Sequence, residues 1–234
     1  MSILDLIFPK YCVNCKKLGD YLCADCFSFL SFNDFELCLN CNRPSIDGLT
    51  HPYCKGKYLI DGAFSALNYK GVVKKLVYNF KYEPKFVSDL NNTLVNLFYE
   101  ALIQKESFAE IYELFKNDLI LVPVPLYLPK LKKRGYNQSE LLAKGLSKRF
   151  GIPLFSVLER TKNTKTQVGL KKEERKENIK DAFKIKTTGI KDLSDKSLFL
   201  VDDVLTTGST LLEAANVLKR NGAKNVWGIT LAKD

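Results

Sequence analysis

From residue 61 onward, apolar positions switch repeatedly between short continuous runs and helical spacings. The runs Ala63–Tyr69, Asp118–Val124, Leu198–Val201 and Val226–Leu231 predict buried strands, with Leu154–Leu158 and Ala182–Ile185 as further short strands. Val72, Val73, Leu76, Val77 and Phe80 recur at helical spacing, and Leu90–Ile103 repeats that pattern. Gln138–Phe150 and Gly208–Asn221 read as helices closed by Gly151 and Gly222. Strand and helix signals in alternation predict an α/β parallel sheet flanked by helices over 61–234. Residues 1–60 lack the alternation, and a stretch of that size with few large buried apolar side chains cannot stabilise itself well, which predicts a separate small domain held by something other than a hydrophobic core.

The most informative stretch is Ser197–Thr210, SLFLVDDVLTTGST. An apolar strand leads into two carboxylates, Asp202 and Asp203, then into the small-residue loop Thr206, Thr207, Gly208, Ser209, Thr210, then into a helix. A strand tip in an open α/β sheet points its loop into the ligand crevice. A Gly/Ser/Thr loop opening onto a helix offers N–H groups, hydroxyls and a positive dipole end to an anion, and Gly208 lets the backbone approach closely. Two acids beside a phosphate cup make physical sense if they grip sugar hydroxyls or metal ions that the ligand carries. Together they describe a ribose 5-phosphate site. A Walker-type ATPase is excluded, because no G-x-x-x-x-G-K-[ST] loop occurs. The stretch resembles the PRPP-binding signature of type I phosphoribosyltransferases.

Two other segments carry candidate chemistry. After DLILVPV comes PLYLPKLKKRGYNQSELLAKGL, read as a basic loop and then a helix. Lys130, Lys132, Lys133 and Arg134 supply charge, Gly135 a turn, and Asn137, Gln138 and Ser139 amide or hydroxyl groups, the kind of set that grips pyrophosphate. The segment Arg160–Phe183 is long, polar and charged, which predicts a lid loop, with Thr166, Gln167, Arg175 and Asn178 as its functional members.

All seven cysteines and the single histidine lie between residues 12 and 54. They form four pairs of uniform spacing, Cys12/Cys15, Cys23/Cys26, Cys38/Cys41 and His51/Cys54. Eight donors suffice for two tetrahedral structural zinc sites, one from Cys12, Cys15, Cys23 and Cys26, the other from Cys38, Cys41, His51 and Cys54. The uniform spacing argues against a disulfide framework.

Net charge is +10, concentrated in one place. Residues 1–60 balance six basic against six acidic side chains, whereas 130–186 hold 17 Lys/Arg against six Asp/Glu. That field suits a polyanion, PRPP or single-stranded nucleic acid, with Tyr136 and Phe155 as stacking residues for the latter. No apolar run is long enough to span a bilayer, so membrane insertion is not expected. The start MSILDLIFPK lacks the parts of a secretory signal, and the expected location is cytoplasmic.

Taken in order, a Cys-rich start after LDLIFP, then PVPL, KRGYNQSELLA, T-x-T-Q with R-x-x-N and AF, and VDDVLTTGST, the chain resembles the ComF family of competence proteins. The resemblance implies an N-terminal double zinc ribbon before a phosphoribosyltransferase-like domain, and a role in natural transformation, handling single-stranded DNA that has entered the cytoplasm. It implies PRPP with Mg²⁺ as ligand, and DNA-uptake or recombination proteins as partners. Two positions depart from the family pattern: His51 stands where relatives often have Cys, and Asp181 where a Gly often precedes the Ala/Phe pair.

Overall fold

The computed structural model describes residues 9–83, 87–162, 179–186 and 192–234. Its centre is a four-stranded parallel sheet of β1 (Gly62–Asn68), β6 (Asn225–Lys233), β5 (Ser197–Leu205) and β2 (Leu119–Pro123), in that order. Side-chain alternation divides these strands between two cores. Phe64, Leu121, Phe199, Val201, Trp227 and Ile229 face a cluster that includes helices α2 (Gly71–Tyr82), α3 (Val87–Ile103), α4 (Glu106–Phe115) and α6 (Gln138–Phe150). Ala63, Ile120, Val122, Leu198, Leu200 and Val226 face the other way, onto helix α7 (Ser209–Arg220) and residues 179–183. No described helix is long and apolar enough to cross a membrane.

The predicted strands and helices fall within a residue or a few of their observed bounds, with four corrections. The strand under the acid pair does not stop at Val201; it runs to Leu205, because β5 stays in parallel register with β6 through Asp202↔Thr230, Val204↔Ala232 and Leu205↔Lys233. Leu154–Leu158 is not a strand: Leu154 makes a single bridge to Leu121. Strand β3 begins only at Leu158 and pairs antiparallel with β4 (Phe183–Ile185), outside the main sheet. The basic segment expected as a loop is the short helix α5 (Leu128–Arg134), opened by Pro129 in its first turn and closed by Gly135 at φ 85°. Helix α4 is an addition that the pattern reading passed over.

The N-terminal region contains one helical turn, α1 (Ala24–Phe27), and two 3₁₀ turns, Ile46–Gly48 and Pro52–Cys54. It docks along the free edge of β1. Asn33 N–H donates to the Ala66 carbonyl at 3.1 Å, Asn68 N–H to Ser31 at 2.8 Å, and Thr50 N–H to Asp61 at 2.9 Å. Edge strands are aggregation hazards unless covered, and here the first domain is the cover. The buried Glu36 accepts the Ser65 N–H at 2.8 Å and lies 3.3 Å from Lys105 Nζ, so a paired charge helps fix the dock. Gly48 allows the backbones to meet: a Cβ there would fall 1.9 Å from the Ala63 carbonyl oxygen.

Candidate functional site

Strand β5 delivers Asp202 and Asp203 to the carboxyl end of the sheet, where α6 and α2 meet it. Asp202 Oδ1 accepts two hydrogen bonds, from Ser139 Oγ and from the Asp203 N–H, each 2.9 Å. Burial first, and the neighbouring Asp203 charge second, push its carboxyl up to about 6, against the pull of Ser139 and Lys81. Asp203 Oδ1 pairs with Lys81 Nζ at 2.9 Å, and both side chains are largely enclosed. Burial pulls the Lys81 ammonium down, and the Asp203 carboxylate more than offsets it, holding it above the ordinary lysine value. Arg160, at the end of β3, is a further, half-buried cation; burial lowers its pKa and the Asp202 charge opposes the shift.

The loop after β5 turns at Gly208, whose φ of 75° makes it the residue before α7. Thr207 Oγ1 and Ser209 Oγ lie 2.9 Å apart, and Ser209 and Thr210 belong to the first turn of the helix. Asp202, Thr206, Gly208, Ser209 and Thr210 help line a cavity of about 20 Å³, room for one water-sized group. Leu39 of the N-terminal domain packs against Gly208 from outside; a Cβ at Gly208 would meet Leu39 Cδ2 at 3.0 Å. A larger cleft of about 710 Å³ follows the outer face of α7, between Asn40 and Leu59 on one side and residues 179–183 on the other. Of the two carboxylates, Asp202 lines the smaller space.

The second predicted segment reaches the same place. Helix α5 ends at Arg134, whose Nη1 donates to Gln138 Oε1 at 2.6 Å, and whose guanidinium lies over the Tyr82 ring, 5.4 Å from its centroid. Asn137 Nδ2 holds the turn by donating to the Val124 carbonyl at 3.0 Å. Gln138 Nε2 and Asn137 Oδ1 are buried without a hydrogen-bond partner among the described residues. Lys133 is exposed on the last turn of α5. Tyr136 is not a free stacker: its hydroxyl donates to the Phe80 carbonyl at 2.6 Å. Phe155 is 37% exposed. Thr166, Gln167, Arg175 and Asn178 lie outside the described residues. Asp181, where a Gly is usual, adopts the left-handed φ of 52° that Gly would favour, its N–H donating to Glu213 Oε1 at 2.8 Å.

Lys81 is the site residue that pattern reading missed. In sequence it is one of many lysines, and only the packing of α2 against the sheet brings it to Asp203.

In the N-terminal domain, the eight predicted donors form the two predicted groups, each with all ligand atoms within 4.8 Å of one another. None of the seven cysteines is in a disulfide. In the first group Asn14 Nδ2 donates to Cys26 Sγ at 3.3 Å, and Cys15 Sγ lies 3.5 Å from Cys23 Sγ. Burial raises the Cys12 thiol, but the N–H groups of Cys15, Cys23 and Asn14 more than offset it and bring it to about 6. The same balance sets Cys38 at about 7. In the second group His51 Nε2 lies 2.9 Å from the Pro44 carbonyl, which assigns the proton to Nε2 and leaves Nδ1, 3.3 Å from Cys41 Sγ, to face the cluster. His51 thus completes the second donor group. The donor sets suit zinc, which takes four sulfur or nitrogen ligands in closed structural sites.

Comparison with known proteins agrees with both halves. A double zinc ribbon domain model matches residues 3–56, and a phosphoribosyl transferase domain model matches residues 137–234. Competence protein F of Haemophilus influenzae is 36% identical over 160 residues, 67% of either chain. DNA utilization protein YhgH of Escherichia coli K12 is 40% identical over 110 residues, 46% of this chain and 47% of that one. Competence protein ComFC of Bacillus subtilis is 27% identical over 230 residues, 93% of this chain and 86% of that one. With an N-terminal zinc-ribbon domain and a phosphoribosyltransferase-type parallel sheet in one chain, this protein belongs to the competence protein F/ComFC family.

Proposed function

We propose that this protein acts in natural competence, handling incoming single-stranded DNA in the cytoplasm through a PRPP-type ribose-5-phosphate and pyrophosphate site. The observation that carries the reading is the Ser139–Asp202 hydrogen bond, which joins the two sequence segments that held separate candidate chemistry. The names of the relatives support the DNA role: two are competence proteins and one a DNA utilization protein.

In this reading Thr206, Thr207, Gly208, Ser209 and Thr210 hold a 5-phosphate by N–H groups and hydroxyls. Asp202 and Asp203 accept ribose hydroxyls and stabilise positive charge on the sugar as the anomeric substituent leaves. Lys81 positions Asp203. Lys133, Arg134, Gly135, Asn137 and Gln138 surround the pyrophosphate end, where the unpartnered Gln138 Nε2 supplies a donor. Mg²⁺ would be held there chiefly by ligand oxygens, as a small hard ion that keeps its water shell. Zinc fills both ribbon sites and is structural. The alternative is an active phosphoribosyltransferase of nucleotide metabolism without a DNA role, favoured by the completeness of the acid pair and phosphate loop.

The test is thermal unfolding with millimolar PRPP and Mg²⁺. Wild type is stabilised, Asp202→Ala with Asp203→Ala abolishes the shift, and Lys81→Met reduces it. No shift in wild type, or an undiminished shift in the double variant, refutes the site.

A further inference from the structure

Helix α2, which supplies Lys81 to Asp203, carries two tyrosines on the adjoining arc. Tyr78 and Tyr82 are one turn apart, with ring centroids 4.9 Å from each other, and each is 56% exposed. Lys81, bonded to Asp203, lies about 60° around the helix from Tyr78 on its other side, so the rings stand on the helix surface next to the residue that reaches the acid pair. The guanidinium of Arg134 sits over the Tyr82 ring at 5.4 Å and ties α5 to this face. That helix reads Leu-Pro-Lys-Leu-Lys-Lys-Arg, four cations and no acid, and its Lys132 and Lys133 are exposed.

Single exposed tyrosines are ordinary on protein surfaces. Two rings in mutual contact, one under a cation, beside an acid-free basic helix and at the mouth of a sugar-phosphate site, form a pattern with a chemical meaning. Aromatic faces stack with unpaired bases, and lysines alongside neutralise the phosphates between them. A duplex keeps its bases stacked on each other and would leave the rings unused, and a free mononucleotide would not need the line of charge.

We propose that Tyr78 and Tyr82, with Arg134 and the lysines of α5, form a stacking track for single-stranded nucleic acid that leads its end toward Asp202 and Asp203. The track rests on the crevice reading above for its direction, and on its own side chains for affinity. It replaces Tyr136, whose hydroxyl is committed to Phe80, as the stacking element.

The experiment titrates full-length protein against fluorescent oligothymidylate of about 20 nucleotides, by anisotropy over a salt series. Tyr78→Ala with Tyr82→Ala weakens binding about tenfold or more while the slope of log affinity against log salt stays that of wild type. Tyr78→Phe with Tyr82→Phe retains affinity, and an abasic strand of equal length binds wild type as weakly as the Ala variant binds oligothymidylate. Tyr78→Ala alone gives part of the loss. Equal binding of oligothymidylate by wild type and the Ala variant, equal binding of abasic and base-bearing strands, or equal competition by a duplex overturns the track. The PRPP stabilisation, measured on the same samples, persists in the tyrosine variants and scores only the crevice, so the two readings fail separately.

Discussion

Asp202 shows how one carboxylate can be held ready at a cost to the fold. Its carboxyl is raised to about 6 by burial and then by Asp203, so folding favours the protonated form. Below about pH 4 the group is neutral in both folded and unfolded chains and has no effect on stability. Between about pH 4 and 6 the unfolded chain releases this proton while the folded protein still holds it, so stability falls by at most about 3 kcal/mol and levels once the folded group also ionises. Asp202→Asn removes that titration. Melting of both proteins across this range is expected to show a gap in the variant's favour that widens between about pH 4 and 6 and is constant above. A gap independent of pH would show that the raised carboxyl is not Asp202. Lys81 explains why Asp203 can stand beside such a neighbour: its ammonium is 2.9 Å away and neutralises the second charge within the site.

At the level of elements, the turn between β5 and α7 concentrates two constraints on one residue. Gly208 is in the left-handed region, and its open α-carbon faces Leu39. Gly135 has a comparable φ of 85°, but nothing lies within 4 Å of where its Cβ would be. Both Gly→Ala changes incur backbone strain of about 1–2 kcal/mol. Only Gly208→Ala also presses on the N-terminal domain and crowds the phosphate cup. Thermal melts with and without PRPP are expected to show similar losses of a few degrees in both variants, with the ligand shift lost in Gly208→Ala alone. A retained shift there would remove the loop from the site. The strand–turn–helix unit that carries the acid pair was legible in sequence because its signals sit within nine consecutive residues, Asp202–Thr210. The end of β5 was not, because pairing with β6 overrides the polarity of Asp202 and Asp203. Helix α5 was hidden by its lysines, which read as a loop although Pro129 and Gly135 bracket a turn and a half. Lys81 depends on a contact 122 residues away, which no local pattern encodes.

For the whole molecule, the ribbon domain covers the edge of the phosphoribosyltransferase-type sheet besides bringing together the two donor groups. Its residues 31–36 bond to β1, Glu36 sits in the interface among Ser65, Lys105 and Lys233, and Leu39 packs against Gly208 in the turn after β5. Lys233 Nζ donates to the Phe35 carbonyl at 2.7 Å across the same junction, and Lys219 pairs at 2.7 Å with Asp61, where the chain enters the second domain. A domain of this size with few large apolar side chains buried is expected to owe its fold to bound metals, which in small fingers contribute on the order of 10 kcal/mol. Removing them should therefore uncover β1, release Leu39 and loosen Gly208 in one event. Purified protein is expected to carry two zinc ions, and chelation to lower the melting temperature by about 10 °C or more in a single transition, abolishing the PRPP shift together with the ribbon's fold. Readdition of zinc restores both. If the stripped protein instead keeps its main transition and its PRPP response while only the first 60 residues unfold, the two domains are independent and the contact of Leu39 with the phosphate loop carries no function.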